Sequence, residues 1–276
     1  MPHRRLAQIA DIEQRLLIEA IYQRYHYDFR SYARASLKRR LLAAQTHFQC
    51  KTLSQLQDRV LHEPDVFAGM LDYLTVQVSD MFRDPEYFRA LRVRVLPLLR
   101  TYPSLKVWVA GCSAGEEAYS IAILLHEAGL LERTLVYATD INPQAPQSAA
   151  SGVFDAARVP AFTQNHAASG ATTSLSDYYT AAYGRAVFHK SLRERMVFSD
   201  HSLATDHVFA EVQLVSCRNV LIYFNRTLQD RALGLFADAL VRRGFLGLGM
   251  RETLQFSRQA QAFDVLSQEH RLYRKH

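Results

Sequence analysis

Long apolar runs are missing from this chain of 276 residues. The best stretch, Ala118 to Leu125, falls far short of the ~18 residues that a membrane-spanning helix needs. Arg4 and Arg5 open the chain, but Asp11 and Glu13 stand where a secretory signal would need an uninterrupted apolar segment. A cytoplasmic location is the expectation. Cysteine is scarce: Cys50, Cys112 and Cys217 are far apart, and no C-x-x-C, H-E-x-x-H or paired Cys/His spacing occurs. That argues against a zinc site or any other metal and for reduced, buried thiols. Repeats and low-complexity tracts are also lacking. With 49% hydrophobic and 22% charged residues the chain has the composition of a globular protein with a sizeable core.

Its charge is unevenly placed. The net charge is +6, and residues 1–60 hold 11 Lys/Arg against 5 Asp/Glu, so the whole excess lies there. Such a segment has an electrostatic task, toward nucleic acid, a membrane surface or an acidic protein. Residues 1–75 read as helical. Ile9, Ile12, Leu16, Ile18 and Ile21 recur at helical spacing, as do Ala33, Leu37 and Leu41. Arg30, Arg34 and Lys38 form a basic stripe on another face of the second helix. Thr52 caps a third helix to Leu61, and Pro64 marks a break.

From Lys106 the texture changes. Lys106 to Ala110, Leu135 to Thr139, Val212 to Ser216 and Phe245 to Leu248 have buried-strand patterns. A helix is expected after the first, over Ala118 to Glu127. A long one over Thr227 to Arg243 is expected to end at Gly244. Phe263 to Leu266 and Arg271 to Arg274 supply two last strands. This alternation implies an α/β fold, a doubly wound, mostly parallel sheet. Residues 160–198 fit it poorly and read as a small inserted subdomain.

Chemistry-bearing residues gather where strands end, the place at which doubly wound sheets bind ligands. Gly111-Cys-Ser-Ala-Gly115 leads from a strand into Glu116 and Glu117 at a helix start. Carboxylates there would repel a pyrophosphate but would attract a cationic cofactor such as S-adenosylmethionine. Asp140, 25 residues after Gly115, ends the second strand, where an acid can accept from two ribose hydroxyls. The G-x-G-x-x-G fingerprint of NAD sites is absent. Arg218 and Asn219 follow the third strand, and Tyr223 can reach the same crevice.

The ordered segments L-T-x-x-x-S-x-x-F-R-D-P (from Leu74), W-x-A-G-C-S-A-G-E-E-x-Y-S (from Trp108), A-T-D-I (from Ala138) and C-R-N-V-L-I-Y-F (from Cys217) resemble the CheR family of chemotaxis receptor methyltransferases over nearly the whole chain. The resemblance implies a class I, Rossmann-like S-adenosylmethionine-dependent methyltransferase domain at 106–276, with a small antiparallel β-subdomain at about 160–198. It also implies a linker helix at 76–105 and an all-α, basic recognition domain at 1–75. It implies methylation of glutamate side chains on a chemoreceptor, giving S-adenosylhomocysteine. Cofactor contacts fall on Gln77, Ser79, Arg83, Glu117, Asp140, Ser202, Leu203, Arg218 and Asn219. Arg83 and Tyr223 match residues near the transferred methyl, and Arg34, Lys38, Arg39 and Arg40 match the receptor-recognition helix. A monomer is expected, whose partner is the receptor's acidic methylation helices and not nucleic acid. The chain departs from the family pattern at Gln77, Ser79, Ser202 and Met250-Arg251. The departures at Gln77, Ser202 and Met250-Arg251 motivate the alternative of a cofactor-binding module with weakened turnover. A nucleic-acid methyltransferase is the remote alternative.

Overall fold

The computed structural model describes the backbone of residues 2–276 and the side chains from Gln8 onward. Four helices come first: α1 (Pro2–Tyr25), α2 (Arg34–His47), α3 (Leu53–His62) and α4 (Pro64–Leu74). Thr52 caps α3 by accepting from the Gln55 N–H at 3.1 Å. On α1 the buried face is Gln14, Leu17, Ile18 and Ile21, whereas Ile9, Ile12 and Leu16 are exposed. The apolar periodicity of α1 therefore carries two stripes, and one of them faces away from the core. On α2 the inward face is Leu37, Arg40, Leu41 and Ala44.

Residues 76–84 run without regular structure into α5 (Pro85–Ala90), which continues through a π turn (Leu91–Val95) to Leu99. The linker is thus extended first and helical second. The α/β half follows: β1 (Leu105–Ala110), α6 (Glu116–Glu127), β2 (Thr134–Asp140), α7 (Gln144–Ser151), β3 (Val153–Asp155), α8 (Val159–Ala168), β4 (Tyr179–Ala182), β5 (Arg185–Phe188), β6 (Met196–Asp200), β7 (Val212–Cys217), α9 (Arg226–Ala239), β8 (Leu240–Leu248), β9 (Phe263–Ser267) and β10 (Leu272–Lys275). The main sheet has the order β6-β2-β1-β7-β8-β10-β9, with β10 alone antiparallel to its neighbours. Strand order reverses between β1 and β7, so the crevice opens at their C-terminal ends.

Two expectations shift. The three-stranded antiparallel sheet β3-β5-β4 begins at Val153, before residue 160, and encloses α8, while β6 belongs to the main sheet. The long helix does not reach Gly244. It stops at Ala239, and the chain enters β8 directly, because Leu240 pairs with Val212 and the register to β7 then slips before Leu214. Arg243 takes a φ of +66° at this irregularity. A Cβ on Gly244 would lie 2.9 Å from the Val241 carbonyl oxygen. The glycine serves a bulged strand here, not a helix end.

Each face of the sheet has its own core. One joins Trp108, Val215 and Phe236 to the inward residues of α1, α2 and α4, so the helical domain is packed into the α/β half. The other gathers Val107, Ile121, Phe162 and Phe188 under α5, α6 and the subdomain. At the rim of this second core, the buried Glu127 accepts from Arg92, from Thr173 Oγ1 and, at 3.0 Å, pairs with His166 Nε2. Burial pushes the Glu127 carboxyl up, but the His166, Thr173 and Arg92 contacts outweigh it and hold the pKa at about 2. A carboxylate depressed in the folded state adds stability above its unfolded pKa and loses it as pH falls toward the folded value. Glu127→Gln should therefore cost about 3 kcal/mol at pH 7. In urea titrations the gap from the parent should close as pH drops from about 4.5 to about 2. A gap independent of pH would show that Glu127 acts by shape and not by charge.

Candidate active site

The crevice at the ends of β1, β2 and β7 is a cleft of about 860 Å³, part of it open to solvent. Its floor is the turn after β1. The Gly111 and Cys112 N–H groups both donate to the Thr139 carbonyl (2.8 and 2.9 Å), which folds the turn back onto β2. Gly111 has φ +79°, and a Cβ there would come within 2.3 Å of Val220 Cγ2. Gly115 has φ +102°, and a Cβ would come within 2.8 Å of Ala149 Cβ. These glycines let the turn lie against both the segment after β7 and helix α7.

Asp140 is buried at the end of β2. Its carboxylate accepts from the Ser113 N–H at 2.9 Å and from the Asn142 N–H at 3.1 Å. Burial raises its pKa above the ordinary value, against the pull of those bonds. Gln77 bridges the linker to the turn, accepting from Ser113 Oγ (3.1 Å) and donating to Thr75 Oγ1 (3.2 Å). Glu117, in the first turn of α6, accepts from Ser216 Oγ at 2.6 Å.

Arg218 organises the opposite wall. Its buried guanidinium pairs with Asp84 (2.7 Å) and Glu117 (3.3 Å), donates to the Arg83 carbonyl (2.7 Å) and lies over the Tyr87 ring at 4.2 Å. The cation is therefore spent on holding the wall together. Asn219 beside it takes φ +62°, a left-handed conformation that asparagine tolerates. Its N–H donates to Glu252, which also accepts from the Gly249 and Ile222 N–H groups. Phe82, Asp84 and Ser113 have positive φ too, so four non-glycine residues at or beside the cleft sit in a conformation that costs backbone energy.

The helical domain closes the remaining side. Tyr32 bridges to Phe224, and the Ala33 N–H donates to the Tyr223 carbonyl at 2.8 Å. Arg40 and Tyr32 line the cleft from this side.

Of the residues singled out in the sequence, Gln77, Ser79, Arg83, Glu117, Asp140, Leu203, Arg218, Asn219 and Tyr223 line one cleft. Ser202 stands apart from the lining, and its hydroxyl accepts from the Ala204 N–H at 3.3 Å, while its neighbours His201 and Leu203 do reach the cleft. Arg34 and Arg39 are exposed and Lys38 pairs with Asp11 at 3.0 Å, but Arg40 is turned inward. Met250 and Arg251 are exposed and lie outside the lining, and only Glu252 of that motif supports the site. The departure there leaves the cleft intact. Sequence reading missed Ser113, Tyr32 and Glu252. An acid three residues after Gly249 was the available signal for the last.

The donor set suits S-adenosylmethionine. Asp140 can accept from a diol, Glu117 is an anion that can face a cationic group, and Ile141, Leu203 and Val220 offer apolar surface to a base. Comparison with known proteins agrees. Residues 77–272 match the family described as "CheR methyltransferase, SAM binding domain", and residues 12–75 match "CheR methyltransferase, all-alpha domain". "Putative methyltransferase Cher3" of Pseudomonas putida is 57% identical over 96% of this chain and 97% of its own length. A "Chemotaxis protein methyltransferase" of Listeria monocytogenes is 28% identical over 82% of this chain and 84% of its own. An uncharacterised 104.1 kDa protein of Rhodobacter capsulatus is 32% identical over 93% of this chain but 27% of its own.

Because Arg218 satisfies two carboxylates from a buried position, removing its fork leaves both unpaired. Arg218→Met should lower the unfolding free energy by about 3–5 kcal/mol in urea titration. A loss below about 1 kcal/mol would mean that Asp84 and Glu117 are held by other contacts.

Proposed function

The chain belongs to the CheR methyltransferase family, with S-adenosylmethionine as cofactor, and from that premise we propose that it methylates glutamate carboxylates on the cytoplasmic helices of a methyl-accepting chemotaxis receptor. The observation that carries this reading is the convergence of Arg83, Glu117, Asp140, Asn219 and Tyr223, drawn from distant segments, on one cleft walled partly by a basic helical domain. Relatives named as chemotaxis protein methyltransferases support the substrate class.

Bound S-adenosylmethionine supplies an electrophilic methyl group, and an ionised glutamate, with an unperturbed pKa of about 4.3, can take it without a general base. The protein's task is then placement. Asp140 accepts from the ribose hydroxyls. Its two backbone donors hold the carboxylate in one orientation, so those acceptors need no reorganisation on binding. Glu117 faces the cofactor's ammonium, and Gln77, Ser79, Leu203 and Asn219 line the remaining contacts, with Ser202 acting only through its neighbours. Arg218 acts indirectly, by fixing Glu117 and the Arg83–Asp84 turn. Arg83 and Tyr223 stand at the methyl end. Arg34, Lys38 and Arg39 on the outer face of α2 meet the acidic receptor helices, an attraction that salt weakens. This reading requires the cytoplasm.

Isothermal titration with S-adenosylhomocysteine should give micromolar affinity, and Asp140→Ala should weaken it at least tenfold without a change in fold. Unchanged affinity would move the ribose elsewhere. Arg83→Ala should reduce tritium transfer from labelled cofactor to receptor fragments by tenfold or more while the melting temperature stays within a few degrees. Equal turnover would remove Arg83 from the methyl end. Label on the receptor that leaves as methanol in base identifies a carboxyl methyl ester. Label that survives base would exclude glutamate as the acceptor.

A further inference from the structure

Helix α2 carries four basic residues, and one of them breaks the pattern. Arg40 shares the inward face with Leu37, Leu41 and Ala44 and is only 7% exposed. A guanidinium on an apolar face is costly unless it is paired and its donors are satisfied. Here Nη1 donates to the Leu74 carbonyl, and the cation lies over the Tyr223 ring at 4.3 Å. No carboxylate among the described residues forms an ion pair with it, and Nη2 is buried with no hydrogen-bond partner. Burial pushes the Arg40 pKa down, as expected for a cation short of counter-charge. The contrast with Arg218 in the same cleft lies in the counter-charge: its Nε is also buried without a hydrogen-bond partner, but that cation has two carboxylates.

Leaving a buried charged donor unsatisfied is a destabilising arrangement that a ligand acceptor would relieve. The acidic wall of the cleft, Glu117 and Asp140, suits the cationic cofactor. Arg40 lies on the helical domain's side, beside Tyr223, with a donor left over. We infer that Arg40 is a substrate-positioning residue, whose Nη2 donates to one oxygen of the glutamate carboxylate that is to be methylated. The inference rests on the function proposed above. Arg40 lines the cleft beside Tyr223. Because Nη1 is held by the Leu74 carbonyl, the guanidinium has little freedom to turn its fork onto both carboxylate oxygens. A single bond to one oxygen orients the group and leaves the other oxygen free to attack. The Tyr223 ring keeps the guanidinium plane in place through a cation–π contact. Arg40 also shares a helix with Arg34, Lys38 and Arg39. The element that meets the receptor outside therefore reaches its target side chain inside.

The test uses the whole protein with Arg40→Met and Arg40→Lys, the second to keep the charge should the first fold poorly. Affinity for S-adenosylhomocysteine should stay within about threefold of the parent in both. Methyl transfer to a chemoreceptor cytoplasmic fragment, at saturating cofactor, should fall at least 100-fold in Arg40→Met and less in Arg40→Lys. The readout that a structural role would not move is binding of the fragment to protein saturated with S-adenosylhomocysteine. The parent should prefer the fragment with Glu at the methylation site over one with Gln there, and Arg40→Met should bind the two equally. Retained transfer, or equal loss of affinity for both fragments, would overturn the role. A matching loss of S-adenosylhomocysteine affinity would assign Arg40 to the cofactor's carboxylate instead, and would also overturn it. If the parent itself puts no base-labile label on any receptor fragment, the function proposed above falls, and this inference with it.

Discussion

The position of one buried cation governs the cleft. Arg218 stands at the end of β7, yet its hydrogen bonds go to the first turn of α6 and to the Arg83–Asp84 turn, more than 100 residues away in sequence. A lone guanidinium at that depth would be prohibitively costly. Two carboxylates, a carbonyl and the Tyr87 ring compensate it, and each of those partners is thereby fixed. The linker before α5 would otherwise be an irregular segment with little to hold it. Through Arg218 it becomes a wall, and its Arg83 side chain is directed to the cleft. From the subdomain, Arg158 closes the outer end by reaching Glu116, Asp80 and the Ser79 carbonyl. The linker is thus pinned by two arginines, from opposite sides, to the same helix start.

A consequence is that the cleft is electrostatically divided. Arg218 is more than neutralised by Glu117 and Asp84, so the floor and the α6 side remain acidic, with Asp140 adding to them. Arg40 lines the side of the helical domain, and neither it nor Arg83 forms an ion pair with a carboxylate among the described residues. A cationic donor and an anionic acceptor would each find the complementary end. In a partly dehydrated cleft such complementarity acts more strongly than at the surface.

Much of this was legible in the sequence because the motifs are local. The turn at Gly111–Gly115, the acid at Asp140 and the Arg218-Asn219 pair each sit at a strand end, and strand ends are marked by short apolar runs. Those three strands, β1, β2 and β7, lie within a residue of where their patterns put them, whereas β8 starts five residues earlier, at Leu240. The failures share a cause, since they depend on contacts between distant segments. Whether Leu240 continues a helix or starts a strand is decided by Val212, not by its neighbours. The resemblance put Arg40 on a receptor-recognition helix with Arg34, Lys38 and Arg39, but it shares the inward face with Leu37, Leu41 and Ala44. Periodicity placed it within one position of the inward face, and only the packing of α2 against α4 and the Phe224 segment settles which way it turns. The resemblance put Ser202 among the cofactor contacts, but the loop carries His201 and Leu203 to the cleft and turns the Ser202 hydroxyl onto its own backbone.

The shared core gives the helical domain a larger role than docking. Tyr32, Ala33 and Ser31 pair with the chain at Tyr223, Phe224 and Asn225, next to the site. Residues on both sides of that seam are buried together with Trp108 and Phe236. A basic domain on a flexible tether could capture an acidic helix, but it could not fix the distance from that helix to the cleft. Here α2 is both the outer basic surface and, through Arg40, part of the cleft wall. On the function proposed above, rigid attachment would convert recognition of a helix surface into placement of one side chain within that helix. That conversion matters because a methyl transfer without a general base relies on position for its rate.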